Sequence, residues 1–192
     1  MNLFSALLIT ANYEEKELGF FWGRHRHWEG KNPLPNNVCL GIELWNSYQE
    51  QISSSPEFLQ CSELFNPKLR KSSSHLINSL MEHFICKHWG LFSKQDLHTE
   101  LKRFKILLKE NKALTPYSLR KMTSWVLKTE SETIVNRTST IKGFHEILKL
   151  NTSYNQLMEL ALMDVIQNYQ LFEEKMVELI VKYKDTVSAQ VA

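Results

Sequence analysis

The sequence predicts an all-α fold, an irregular multi-helix bundle with a long C-terminal helix. Three observations predict it. Only 6 Gly and 5 Pro occur in 192 residues, fewer chain-turning residues than a many-stranded fold needs. Apolar residues recur every three or four positions through most of the chain, the period of a helix with one buried face. The last segment, from Thr152 to about Thr186, contains neither residue type. Hydrophobic residues make up 43% and charged residues 23%, enough apolar surface for a full core and too much for a disordered chain. We expect one helical domain over 1–192, with a helical core at 36–150 and a long helix at 152–186.

Residues 1–23 read as one or two short helices, with Asn12 as a cap and Gly19 and Gly23 as stops. A buried strand over Leu3–Thr10 is the alternative, since so short an apolar run has no decisive period. The segment lacks a basic start and is closely followed by Glu14, Glu15 and Glu17, so we do not expect an export signal. Gly30, Pro33 and Pro35 make 24–36 a loop. Val38, Ile42, Trp45, Tyr48 and Ile52 define the face of a helix from Asn37 to Ile52. Ser55 is then a cap, with Pro56 at the first helical position, where a missing N–H costs nothing. Asn66 and Pro67 restart the chain.

Over 74–89, Leu76, Ile77, Leu80, Met81, Phe84, Ile85 and Trp89 fill one helical face, with Gly90 as a stop. Ser93 is expected to cap the following helix, with Asp96 favoured by its dipole, and Leu97, Leu101, Phe104 and Leu108 form its stripe. Thr115 caps a further helix starting at Pro116, with Leu119, Met122 and Val126 inward. Residues 129–139 are polar and read as a loop, and Ile141–Leu150 as a short helix. The terminal helix, roughly 50 Å long at 1.5 Å per residue, carries Tyr154, Met158, Ala161, Val165, Phe172, Met176, Leu179 and Tyr183 as its stripe.

Charge is uneven. Residues 94–128 hold 9 basic and 3 acidic side chains, net +6, in a chain whose formal net charge is +2. Lys102, Arg103, Lys105, Lys109, Arg120, Lys121 and Lys128 lie on two successive helices. A helix-turn-helix reader uses such a pair, the first helix crossing the phosphates and the second entering a groove. Nucleic acid is therefore one partner class. In the loop, Trp22, Arg24, Arg26 and Trp28 interleave aromatic and cationic groups, the composition of an interface hot spot. With Phe172, Met176, Leu179 and Tyr183, whose stripe is long for a small domain to cover, they form the expected protein-binding residues.

Catalytic signals are sparse. His83 and Cys86 share a helical face, while His88 points about 140° away, and a metal site would need His25 or His27 alongside. No HExxH, paired CxxC, phosphate loop or nucleophile elbow is present, and Arg137 with His145 makes a poor general acid-base pair. Cys39, Cys61 and Cys86, odd in number, read as free thiols in a reducing cytoplasm. No apolar run reaches the length needed to cross a bilayer. The chain thus reads as a non-catalytic helical adaptor or accessory subunit with a protein partner and no metal or cofactor. Two alternatives stand beside it: a nucleic-acid-binding protein using 94–128, and a small metal-dependent or Cys/His hydrolase around His25, His27, His83 and Cys86.

Overall fold

The computed structural model describes residues 3–11, 13–23, 33–142 and 156–189. They form eleven α-helices joined by turns and short 3-10 segments, and no strand occurs among them. The all-α expectation holds. The expected contacts of Arg24, His25, Arg26, His27, Trp28, His145 and Tyr154, the cap at Asn12 and all but the first two residues of the helix expected over Ile141–Leu150 lie outside the described residues.

Helix α1 (Leu3–Ile9) is buried along its whole length. Its first amides are met by a carboxylate from α5 (Ser73–Lys87). Glu82 accepts hydrogen bonds from the Phe4 N–H at 2.7 Å, the Ser5 N–H at 3.0 Å and the Ser5 hydroxyl. Burial pushes this carboxyl up, opposed by those bonds. A buried acid is tolerable because it satisfies amides that would otherwise be orphaned.

Helix α2 (Glu14–Trp22) packs chiefly on α3 (Asn36–Ser53), and the two backbones nearly touch. A Cβ on Gly19 would lie 2.0 Å from the Val38 carbonyl oxygen, and one on Gly41 would lie 2.0 Å from that of Lys16. Gly19 is therefore a crossing point inside α2 rather than a stop. Gly23, at φ 50°, closes the helix, a conformation a side chain disfavours. Glu17, 0% exposed, leaves α2 to receive both terminal nitrogens of Arg103 at 2.8 Å, and Glu100 takes the same guanidinium.

Helix α4 (Pro56–Glu63) starts as expected, the Ser55 hydroxyl accepting from the Phe58 N–H at 3.2 Å. A 3-10 segment, Pro67–Ser72, leads into α5. That helix ends at Lys87, and Gly90 lies within the one-turn α6 (Trp89–Phe92), so Gly90 is not its terminator. Helix α7 (Leu97–Glu110) is capped by Asp96, whose carboxylate accepts from the Thr99 N–H at 2.8 Å, while Ser93 bonds the Gln95 N–H. Two 3-10 turns, Lys112–Leu114 and Tyr117–Leu119, precede α8 (Arg120–Lys128). Thr115 makes no cap bond, its hydroxyl being buried without a partner. The tight junction of a helix-turn-helix unit is therefore absent between α7 and α8.

The expected loop at 129–139 is instead α9 (Ser131–Thr138). Ile134 and Thr138, one turn apart, bury a narrow face that the polar composition hides. The C-terminal rod is likewise two helices, α10 (Gln156–Gln167) and α11 (Tyr169–Ala189). Asn168 marks the joint, where its side-chain amide donates to the Asp164 carbonyl at 3.0 Å alongside its own backbone N–H. The apolar stripe of both helices faces inward: Ala161, Val165, Phe172, Met176 and Leu179 are buried in the common core, so the last three do not form the outward partner surface expected of them.

Candidate active site

Five polar side chains meet where the C-terminal end of α5 crosses the start of α11. Helix α5 supplies His83 and Lys87, with His88 as its C-terminal cap residue, and α11 supplies Tyr169 and Glu173, one turn apart. The joint at Asn168 lets α11 begin at Tyr169, which lays its ring against Phe84 at 5.3 Å and His83 at 5.8 Å between centroids.

The hydrogen bonds form a chain whose directions are forced. A carbonyl can only accept, so His83 donates from Nδ1 to the Thr138 oxygen on α9 at 2.5 Å. Its Nε2 then accepts from the Tyr169 hydroxyl at 2.8 Å. The Lys87 ammonium donates to that hydroxyl oxygen at 3.1 Å and to the Glu173 carboxylate at 2.6 Å. His88 Nε2 donates to the same carboxylate oxygen.

Each perturbation has a physical source. His83 is 1% exposed, and burial holds its pKa below the usual value, reinforced by the Lys87 charge and partly offset by the Thr138 bond. Burial pushes the Glu173 carboxyl up, but the bonds and charges of Lys87 and His88 outweigh it and hold the group below the usual carboxylate range. Burial opposes the Lys87 charge, and Glu173 and Tyr169 overcome it, raising Lys87. Tyr169 is raised by burial, against the pull of Lys87. The result is a neutral histidine behind and an ion pair in front. Lys87, His88 and Glu173 remain partly exposed, their side chains 32%, 25% and 24% accessible.

His83 and Cys86 do share a face, but it is turned to α9, where the Cys86 thiol points at the Val135 carbonyl at 3.6 Å. Burial pushes that thiol up, and the Cys61 thiol up to about 12, so neither is a ready nucleophile. Among the described residues no three His, Cys, Asp or Glu side chains are grouped to hold a metal ion. Trp22, Phe172, Met176 and Leu179, expected at a partner surface, lie inside the chain's own core, and Tyr183 is half-buried. Of the basic residues, Lys102, Lys109, Arg120, Lys121 and Lys128 are exposed. Arg103 is held by Glu17 and Glu100, and the half-buried Lys105 donates to the Thr129 carbonyl at 2.5 Å. No helix among the described residues is long and apolar enough to cross a membrane.

Helical spacing could not have found Tyr169 and Glu173, because the pairing crosses 85 positions from His88. The one available signal was the adjacent pair Lys87 and His88 at the end of the helix that carries His83 and Cys86.

A family model for acyl carrier protein phosphodiesterase matches residues 1–182. The chain belongs to that family. No curated protein and no solved structure matches it significantly. Membership in the acyl carrier protein phosphodiesterase family points to a hydrolase, and it overturns the expectation of a non-catalytic adaptor or accessory subunit. The adaptor expectation rests on missing catalytic motifs together with the Trp-rich loop, the long terminal helix and the segregated charge, none of which excludes an enzyme. In this phosphodiesterase family member the polar groups instead converge from two distant helices.

Proposed function

We propose that the chain hydrolyses a phosphodiester bond carried by an acyl carrier protein, with His88 and Lys87 at the reacting atoms. The observation that carries this reading is the family match over residues 1–182. The α5–α11 site contributes chemistry of the required kind. Glu173 only accepts, so a neutral His88 keeps its proton on Nε2 and a lone pair on Nδ1.

Water attacking phosphorus gives its proton to Nδ1 as the new P–O bond forms. The bond to the leaving alkoxide breaks, and the imidazolium, steadied by Glu173, returns the proton to that oxygen. The products are a phosphomonoester and an alcohol. The Lys87 ammonium has three N–H donors, two engaged by Tyr169 and Glu173, and the third serves a non-bridging phosphoryl oxygen. Tyr169 and Glu173 are positioning residues, and His83 orients Tyr169. We place the activity in the cytoplasm, where the three free thiols stay reduced.

Intact-mass spectrometry of a carrier protein bearing its phosphodiester-linked group provides the test. Incubation with the chain should remove that group, and His88→Ala, folded by circular dichroism, should slow the loss about 100-fold or more. A carrier of unchanged mass after incubation with the wild-type chain refutes the reading.

A further inference from the structure

Helix α9 ends at Thr138, whose carbonyl is one of the terminal acceptors a helix cannot satisfy by itself, and the His83 N–H meets it. That bond fixes one proton on Nδ1. The ring is buried and packed edge-on against Phe84 and Tyr169, at 4.8 Å and 5.8 Å between centroids, and turning it over would break the bond to α9. A second proton therefore has one place to go, Nε2, which accepts from the Tyr169 hydroxyl at 2.8 Å. Once protonated, Nε2 can only donate. The Tyr169 hydrogen then loses its acceptor, and the Tyr169 oxygen, already taken by the Lys87 ammonium at 3.1 Å, faces a second cation. The same ammonium lies over the Tyr169 ring, 4.8 Å from its centroid, so a shift of Tyr169 reaches Lys87 through both contacts. The surrounding charges set the balance. From α5, Lys87 and the neighbouring His88 oppose a further proton. Also on α5, the Cys86 thiol is turned to α9 and pushed up by burial, and Glu82 is turned to α1. From α11, Glu173 favours the proton, but its carboxylate is already shared by Lys87 and His88. From α9, the Thr138 carbonyl accepts in either state.

We infer that His83 is a positioning residue that latches Lys87 according to pH. Neutral, it takes the Tyr169 hydrogen bond and keeps Lys87 between Tyr169 and Glu173. Protonated, it turns the Tyr169 hydroxyl away and drives Lys87 off that oxygen, because two cations on one acceptor repel. The latch stands on the hydrogen-bond chain alone, and its effect on catalysis rests on the phosphodiesterase reading.

NMR of the full chain labelled with 15N-histidine and 13C-lysine, without substrate, tests the latch over about pH 8 to about pH 4. At the upper end His83 should carry its proton on Nδ1. On acidification the Lys87 13Cε signal, identified by its loss in Lys87→Arg, should shift with the midpoint at which His83 Nε2 is protonated. Tyr169→Phe keeps the ring and the charges but not the hydroxyl, and should shrink that shift about threefold or more. The pH profile of a small chromogenic phosphodiester reads the effect on the reaction. At the acid end, wild-type kcat/KM should fall about 100-fold per pH unit, with one proton on His88 and one on His83. His83→Gln, whose amide oxygen accepts without titrating, should fall about tenfold per unit whatever its absolute rate. A proton on Nε2 at the upper end, a Lys87 signal that ignores the His83 midpoint, or one that follows it equally in Tyr169→Phe overturns the latch. Acid limbs of equal steepness in wild type and His83→Gln overturn it as well. A latch seen by NMR in a wild-type chain that cleaves no diester upholds the inference and removes the phosphodiesterase reading instead.

Discussion

At the scale of single residues, His83 and Glu173 make stability fall on the acid side through two separate windows. The folded pKa of His83 is depressed by burial. The unfolded chain therefore takes the proton first, and stability drops as pH falls below about 6.5, the unperturbed histidine value. The folded pKa of Glu173 is also depressed, by Lys87 and His88 against the opposing effect of burial. Its contribution is complete above about 4.3, the unperturbed carboxylate value, and is lost as pH falls through the lower folded value. Melting temperatures measured against pH should therefore show a shallower decline between pH 7 and 5 in His83→Gln, and a shallower decline below pH 4.3 in Glu173→Gln. Curves parallel to wild type in both variants would contradict the hydrogen-bond chain. The two residues differ in legibility. His83 was visible as a chemically notable group on an apolar helix, whereas Glu173 looked like any charge on a solvated face, because its partners come from another helix.

At the scale of elements, α2 and α3 depend on two glycines that bring backbone against backbone. Gly19→Ala or Gly41→Ala places a methyl group 2.0 Å from a carbonyl oxygen. Neither backbone yields cheaply, so each should cost about 3 kcal/mol, read as a lowered denaturation midpoint with an unchanged slope. Gly90→Ala, with nothing within 4 Å of the added carbon, is the matched control and should leave the midpoint unchanged or raise it. Equal midpoints for all three variants would contradict the close crossing. Helix positions were largely legible because burial imposes a 3.6-residue period, clear in the Leu97, Leu101, Phe104 and Leu108 stripe of α7. Helix ends were less so. Gly19 looked like a stop because its contact, Val38, belongs to the next helix. Ser93 and Asp96 both suit a cap, and backbone geometry selects Asp96. Helix α9 escaped notice because Ile134 and Thr138 bury a face too narrow for periodicity to reveal.

At the scale of the whole molecule, α11 joins folding to chemistry. Its Phe172, Met176 and Leu179 bury in the core, while Tyr169 and Glu173 on the same helix reach Lys87 and His88. Packing and active-site assembly thus share one element. The site was not legible in the sequence, because no local motif announced groups that meet only where α5 and α11 cross. The most direct measurement of the central claim is 31P NMR of the carrier protein mixed with the chain. The account predicts that the phosphodiester resonance gives way to a phosphomonoester resonance with wild type and persists with His88→Ala. A diester resonance that persists with wild type, or disappears equally fast with both proteins, would contradict it.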